Sequence, residues 1–167
     1  MQATATHTDM LQLVTFKLSG QKYAVDILKV QEINNMKEIT TIPNAPAFLE
    51  GAINLRGKVI PVLNLRKKFS FEDKATDETC KIVIMDVRGI IMGVIVDAVS
   101  DVLRIDRDVV EPPPPVSSNM NTEFIAGIAK LQEGLVILLE MDRLLDDEEH
   151  RAVFGKNDSM GGGPRSK

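Results

Sequence analysis

Two segments of the chain repeat, and this repetition limits the folds open to it. Residues 47–69 align without gaps onto residues 123–145, and residues 13–33 align in the same way onto residues 82–102. The two matches follow the same order, with shifts of 76 and 69 positions, because the connector inside the second copy is seven residues longer. Few positions are identical, but apolar positions mostly meet apolar positions. We interpret the pattern as an internal duplication of a unit of about 65 residues.

Each copy has the pattern of a small β-barrel. Its short runs are alternating or continuously apolar, and turn signals such as Ser19-Gly20 and Arg88-Gly89 separate them. Five short strands without a helix-length segment predict a barrel, so the fold class is mainly β, with two five-stranded pseudo-repeated barrels packed together. A barrel of about 65 residues is marginal alone. We therefore expect an apolar layer shared by the two barrels, with a groove there that suits a partner.

The ends of the chain differ in composition from its centre. Small polar residues at the start and a Gly-rich polar end predict disordered tails. Asp142 precedes a short helical pattern and is a candidate N-cap. The predicted boundaries are a tail at 1–10, one domain at 11–154 (subdomains at about 11–75 and 79–145, a C-terminal helix at about 142–154) and a tail at 155–167.

Composition excludes several classes of function. Apolar residues make up 44% of the chain but aromatic residues only 4%, so aliphatic side chains and Met must build the core. The net charge is -4 and no long basic run occurs, which argues against nucleic-acid binding. No apolar run approaches the roughly 20 residues of a membrane span, and no secretion signal is visible. The single Cys80 cannot form an internal disulfide, so a reducing cytoplasm is the expected location.

The sequence offers no positive case for an enzyme. His7 falls in a tail and His150 in a charged helix, and neither belongs to a recognisable nucleophile motif. Cys80 opens an apolar strand and behaves as a small hydrophobic residue. The segment "GAINLRGK" (51–58) fails as a phosphate loop in its glycine spacing and its missing Ser or Thr. The acidic segment at 106–111 lacks the glycine and spacing of a calcium loop. We expect no catalytic residue, cofactor or metal.

The segment "GAINLRGKVIPVLNLR" predicts a β-hairpin with two unusual residues. Arg56 stands in its turn, and Pro61 lies inside its second strand. The second copy carries Gln132 and Ile137 at these positions, so the scaffold requires neither residue. Pro61 fits an edge or a bulge, where no ladder donor is missed. Arg56 is the best single candidate for a site at which this protein meets its partners.

Several blocks of the chain resemble the CheW-type chemotaxis coupling proteins. They are "YAVDILKVQEI", "IPNAPAFLEGAINLRGKVIPVLNLRKKF", "MGVIVDAVSDVLRI", and "FIAGIAKL" followed by "LVILLEMDRLL". The resemblance covers roughly residues 11 to 145, and its central block also occurs in the regulatory domain of the histidine kinase CheA. It implies two five-stranded SH3-like barrels. It also implies a cytoplasmic, non-catalytic adaptor that joins this kinase domain to the cytoplasmic tip of chemoreceptors in the membrane-associated array.

The resemblance also implies which residues meet each partner. For the receptor, whose helical hairpin would lie between the barrels, these are Val14, Ile27, Val30, Glu32, Ile33, Arg56 and Val99. For the kinase they are Ile39, Ile42 and Gly51. Two alternatives stay open. The equivalent Val30 and Val99 either line the groove or belong to the core, and Gly51, like its equivalent Gly127, fits a tight turn with positive φ.

Other classes of protein compete with the adaptor. A kinase fragment or a hybrid with a receiver domain would need modules for which this chain has no room. A small-ligand-binding β-barrel module of another signalling system remains the alternative. A stabilising metabolite in a thermal-shift screen would favour it.

Overall fold

The computed structural model describes residues 10–72, 77–113 and 123–160, with side chains to residue 154, and it is mainly β. The strands are β1 (Met10–Leu18), β2 (Gln21–Asp26), β3 (Val30–Asn35), β4 (Leu49–Leu55), β5 (Lys58–Asn64), β6 (Lys81–Val87), β7 (Ile90–Val96), β8 (Ala98–Asp106), β9 (Val110–Glu111), β10 (Ile125–Leu131) and β11 (Gly134–Leu139). The α-helices are α1 (Leu65–Lys68) and α2 (Asp147–Met160), and 3₁₀ turns occur at Ile27–Lys29, Arg107–Val109 and Met141–Arg143.

The strands form two packed sheets that exchange hairpins between the copies. Sheet 1 has the order β8-β1-β2-β11-β10-β9, and sheet 2 has the order β3-β6-β7-β5-β4. The first hairpin of each copy thus joins the sheet built by the later strands of the other copy. The sheets do not follow the predicted boundaries at 11–75 and 79–145. The chain leaves sheet 1 through the 3₁₀ turn at Ile27–Lys29 and returns to it through Asp97, so β3 and β8 each pair in the sheet opposite to the strand before them.

Strand register confirms the internal duplication. A shift of 69 positions converts every pair of β1 and β2 into a pair of β6 and β7; Leu13 with Asp26, for example, becomes Ile82 with Ile95. The bulges in the β4–β5 and β10–β11 hairpins also fall at positions 76 residues apart. Equivalent backbone geometry therefore underlies sequences that share few identical residues.

Three hydrophobic clusters stabilise this arrangement. One lies inside each barrel and is built from aliphatic side chains alone, such as Ile60 and Ile84 in sheet 2 and Leu13 and Val136 in sheet 1. The third, which we call the inter-sheet cluster, contains buried residues from strands of both sheets. This cluster confirms the predicted apolar layer shared by the two barrels. All six Phe and the single Tyr lie in it or against it, and Phe69 stacks on Phe124 with ring centroids 4.9 Å apart.

The C-terminal helix begins later than predicted. Instead of spanning 142–154 behind Asp142, α2 starts at Asp147, because Asp146 and Glu149 form a capping box. The Glu149 N–H donates to Asp146 Oδ1 at 2.7 Å, and the Asp146 N–H donates to Glu149 Oε1 at 3.0 Å. The helix continues to Met160, inside the predicted tail, and the rest of both tails lies outside the described residues except Met10, which begins β1. None of the described helices is long and apolar enough to cross a membrane.

Pro61 occupies a stretch of β5 with a strand on one side. It opposes Ala52 of β4, whereas the parallel pairing of β5 with β7 covers only Val62 to Asn64. β5 is therefore an edge at this point, as predicted, and no ladder needs an N–H from the proline.

Candidate functional site

Arg56 lies in a tight turn and forms an ion pair with Glu32 of β3. The turn residues Arg56 and Gly57 have φ of 51° and 85°, as in the type I′ turns that join two-residue hairpins. The Gly57 N–H donates to Asn54 Oδ1 at 2.9 Å. The Arg56 guanidinium donates through Nη1 to Glu32 Oε1 at 3.3 Å and through Nη2 to Glu32 Oε2. Both carboxylate oxygens are therefore engaged, while 70% of the arginine side chain stays exposed.

The backbone of this turn does not favour arginine. A side chain at positive φ is strained, and Asn or Gly would relieve the strain. The hairpin of β6 and β7 repeats the geometry, with Arg88 at φ 55° and Gly89 at φ 84°. An arginine here adds nothing to the turn itself, so its contribution comes from the guanidinium.

The pair is electrostatically coupled but accessible to solvent. The hydrogen bond from Arg56 holds the pKa of Glu32 below its ordinary value, and Glu32 raises the pKa of Arg56. Exposed ion pairs are screened by salt and contribute little to stability. Such a pair offers both charges to a partner.

The second copy has no equivalent ion pair. Gln132 stands at the position of Arg56, and Asp101 stands at the position of Glu32. Asp101 turns into the bulge of β1 and β8, where the buried Thr15 hydroxyl donates to Asp101 Oδ1 at 2.6 Å. The Asp101 N–H donates back to Thr15 Oγ1 at 3.0 Å. The two copies thus use one backbone position differently: Glu32 pairs with an arginine of a hairpin turn, whereas Asp101 is bonded to Thr15 of the neighbouring strand.

The edge strands β3 and β8 carry a symmetric set of apolar side chains. Directly opposed residues of antiparallel strands share a face. The pairs are Val30 with Met85, Ile33 with Val83, Val99 with Phe16, and Val102 with Val14. The inner member of each pair belongs to the inter-sheet cluster. The four edge residues therefore lie on the sheet faces that bear this cluster.

Burial divides the predicted receptor residues into two groups. Val14 is buried in the inter-sheet cluster, and Ile27, Val30 and Val99 are half-buried against it. Ile33 is 42% exposed. Val30 and Val99 are thus neither fully core nor fully surface.

Sequence reasoning missed two exposed apolar residues near this set. Val102 is 54% exposed and lies 69 positions after Ile33, so the repeat itself would have identified it. Leu28, between Ile27 and Val30 in the chain, is 87% exposed. Its signal was hidden, because an apolar residue inside a strand-like run looks like core.

The predicted kinase residues surround the start of β4. Ile39 is half-buried against the interior cluster of sheet 2. Ile42 is exposed and lines a surface depression of about 440 Å³, whose other lining residues are Thr41, Pro43, Asn44, Ala45, Pro46, Ala47, Leu49, Glu50 and Lys67. Gly51 is buried, so it cannot meet a partner directly.

Gly51 is required by a close approach of two chain segments. A Cβ there would lie 2.1 Å from the Thr40 carbonyl oxygen and 2.8 Å from Ile39 Cγ2. Gly51 has the expected positive φ, but it lies at a bulge in β4 and not in a tight turn. In the second copy, a Cβ on Gly127 would meet Val110 Cγ1 at 2.5 Å. Substitution of Gly51 therefore acts through Ile39 and Thr40.

The residues that resemble reactive groups lie apart from these surfaces. His150 is buried on α2 with its ring 4.6 Å from that of Phe154, and Cys80 is buried before β6. Among the described residues, no three His, Cys, Asp or Glu side chains are close enough to hold a metal ion.

Comparison with known proteins connects this architecture to signalling scaffolds. The family model described as CheW-like domain matches residues 12–149. Chemotaxis protein CheW of Klebsiella aerogenes is 36% identical over 142 residues, covering 85% of this chain and 86% of its own. That of Treponema pallidum is 32% identical over 149 residues, covering 87% and 88%. The crystal structure of scaffolding protein TtCheW from Thermoanaerobacter tengcongensis matches with a TM-score of 0.77 at 39% identity, covering 83% of this chain and 94% of that one.

Proposed function

This chain belongs to the CheW-like domain family and is an adaptor of chemotaxis signalling, and we propose that it acts without catalysis to couple chemoreceptors to the histidine kinase CheA. The partners in this proposal are the cytoplasmic tip of a receptor and the regulatory domain of the kinase. These partners would bring the protein to the cytoplasmic face of the membrane-associated receptor array.

The ion pair between Arg56 and Glu32 carries the proposal, because it joins the two candidate surfaces. Glu32 precedes Ile33 on β3, the edge strand of the proposed receptor groove. Arg56 lies in the turn of the hairpin that β4 begins. In β4, Ala52 forms an antiparallel bridge with Thr40, which belongs to the segment of the proposed kinase contact. One exposed, hydrogen-bonded pair thus links the two regions by a short path through sheet 2.

The apolar edge of the sheets suits a helical partner. Amphipathic helices bind grooves through apolar side chains spaced along one face. The half-buried Val30 and Val99 supply partly desolvated contacts, and Ile33 and Val102 extend them into solvent. A receptor helix would cover these side chains and leave Val14 beneath them as support.

A ligand-binding barrel is less well supported by the same structure. The described interior clusters of both barrels are packed with buried aliphatic side chains. A small-molecule site normally needs a cavity with a few convergent polar groups.

Two exposed residues separate the proposed contacts experimentally. We expect Ile33→Asp to lose binding to a receptor cytoplasmic fragment and to keep binding to the kinase regulatory domain. Ile42→Asp should show the opposite pattern. Val59→Asp is the matched control, since Val59 is exposed on the same sheet outside both surfaces.

Binding of each purified partner, measured by biolayer interferometry, decides the proposal. Wild type should bind both partners and should raise kinase activity only when both are present. If wild type binds neither, or if all three variants lose both partners equally, the assignment of surfaces is wrong.

A further inference from the structure

The chain passes from one sheet to the other twice, and at each passage a carboxylate accepts hydrogen bonds that hold the connecting segment in place. We call residues 26–30 the first crossover and residues 96–98 the second crossover. Asp97 accepts a hydrogen bond from the Ser19 N–H at 2.9 Å, and Asp142 accepts one from the Arg88 N–H at 3.0 Å. Ser19 and Arg88 are equivalent turn residues, 69 positions apart. Each carboxylate therefore ties a crossover region to a hairpin turn.

The ion pairs at the two crossovers have opposite polarity. At the second crossover the acid, Asp97, lies on the crossover, and its partner Arg66 follows β5. At the first crossover the base, Lys29, lies on the crossover, and its partner Asp142 follows β11. Asp142 occupies the position equivalent to Arg66, so the charges are exchanged between the copies.

The two pairs also differ in strength. Arg66 donates two hydrogen bonds to the Asp97 carboxylate, from Nε to Oδ1 at 2.9 Å and from Nη2 to Oδ2 at 2.7 Å. The side chains of Arg66 and Asp97 are 13% and 14% exposed. Lys29 makes one bond to Asp142 at 3.0 Å, and both side chains are 34% exposed. A bidentate, buried Arg–carboxylate pair is rigid, whereas a lysine makes a single contact from a flexible stem. The Lys29 pair is therefore the adjustable restraint.

The adjustable restraint lies within the proposed receptor groove. Lys29 is flanked by Leu28 and by Val30, and Leu28 is exposed where the second copy has Asp97, whose side chain is only 14% exposed. A 3₁₀ turn of three residues makes few backbone hydrogen bonds; here the Leu28 N–H donates to Asp26 Oδ1 and the Val30 N–H to the Ile27 carbonyl. Because the backbone of this turn is held by few hydrogen bonds, side-chain contacts are needed to keep the exposed Leu28 in one position.

We propose that Lys29 is a positioning residue for receptor binding: its ion pair with Asp142 fixes the first crossover so that Leu28 is presented to a receptor helix. This inference rests on the proposed receptor-binding function. A fixed crossover lowers the ordering cost of association, which raises affinity without a new contact. The occupant is an amphipathic helix, because the exposed Leu28 lies two residues before Val30, at the start of the apolar edge that also carries Ile33.

The first test measures hydrogen exchange in the free protein. Lys29→Met keeps the aliphatic stem, and Asp142→Asn keeps an oxygen that accepts from Arg88. Each variant should speed amide exchange in peptides spanning residues 26–30 by at least roughly threefold, as loss of a local restraint predicts. Lys130→Met, which breaks the exposed 3.0 Å pair with Glu111, is the matched control and should leave these peptides unchanged. Unchanged exchange in Lys29→Met overturns the restraint whether or not a receptor binds.

The second test measures affinity for a receptor cytoplasmic fragment. Lys29→Met and Asp142→Asn should each weaken binding by roughly threefold to fivefold, the range a half-exposed ion pair supports. The double variant should be no weaker than either single one, Lys29→Arg should restore binding, and Leu28→Ser should weaken it. Wild-type affinity in Lys29→Met overturns the positioning role even if exchange rises. Failure of wild type to bind overturns the proposed function instead, and a dimer that depends on Leu28 in sedimentation would name a second copy as the occupant.

Discussion

A side chain at Gly51 should destabilise the protein for two separable reasons. The first is its φ of 152°, which L-residues rarely adopt and which costs about 1–3 kcal/mol. The second is the 2.1 Å approach of the new Cβ to the Thr40 carbonyl oxygen, which must move, at an overpacking cost of about 1–3 kcal/mol. We therefore expect Gly51→Ala to lower the free energy of unfolding by about 3 kcal/mol or more. In a domain of this size, that corresponds to a fall of about 6–12 °C in the unfolding temperature.

Two other glycines isolate the two reasons. Gly20 has φ of 82° with open space around it, so Gly20→Ala reports the backbone cost alone, about 1 kcal/mol. Gly127 has no positive φ, and a Cβ there would meet Val110 Cγ1 at 2.5 Å and the Glu111 carbonyl oxygen at 3.0 Å, so Gly127→Ala reports a steric cost alone, about 1–3 kcal/mol. Circular dichroism melts of the three variants give the comparison. If the unfolding temperature of Gly51→Ala equals those of Gly20→Ala and Gly127→Ala, the contact with Thr40 does not constrain the fold.

Kinase binding should distinguish Gly51 from its equivalent. Gly51→Ala and the larger Gly51→Asp displace Ile39 and Thr40, which lead into the depression lined by Ile42. Their affinity for the kinase regulatory domain should fall, while Gly127→Ala keeps wild-type affinity. Equal affinity of folded Gly51→Ala and wild type would remove this region from the kinase contact.

Three further predictions concern charged residues. Arg56→Asn should leave the fold intact, since Asn tolerates the turn, and should abolish receptor-dependent kinase activation, whereas Arg88→Asn at the equivalent geometry should leave activation unchanged. Arg66→Met leaves Asp97 without its bidentate partner in a largely buried site, so thermal melts should show a loss of about 3 kcal/mol. Because the pKa of Glu32 is lowered in the folded state, the stabilisation from its pairing is fully present above the ordinary value of 4.5 and is lost as pH falls through the lowered folded-state pKa. Titration of the Glu32 carboxyl by NMR should show that lowered pKa in wild type, and a higher pKa in Arg56→Asn.

The repeat made the local structure predictable from the sequence. Strand patterns and turn residues identified the hairpins, and the apolar excess required a layer between the barrels. The exchange of hairpins was not predictable, because β1 shows the same alternating pattern whether it pairs with its own copy or with β8. The start of α2 was missed because Asp142 and Asp146 are both plausible caps, and the capping box of Asp146 with Glu149 decides between them.

The site was predictable only as far as the two copies differ. Residues that the shared backbone requires recur in both copies, as the two glycines at equivalent bulges do. Where the copies differ, the shared backbone does not require the residue that either copy carries at that position. Gln132 shows that the hairpin does not need Arg56, and the largely buried Asp97 shows that the crossover does not need an exposed Leu28. The comparison cannot say what these residues bind, because an ion pair and an exposed apolar side chain suit many partners. It does identify the positions where substitution should impair binding more than folding, and the matched variants at the equivalent positions measure that difference directly.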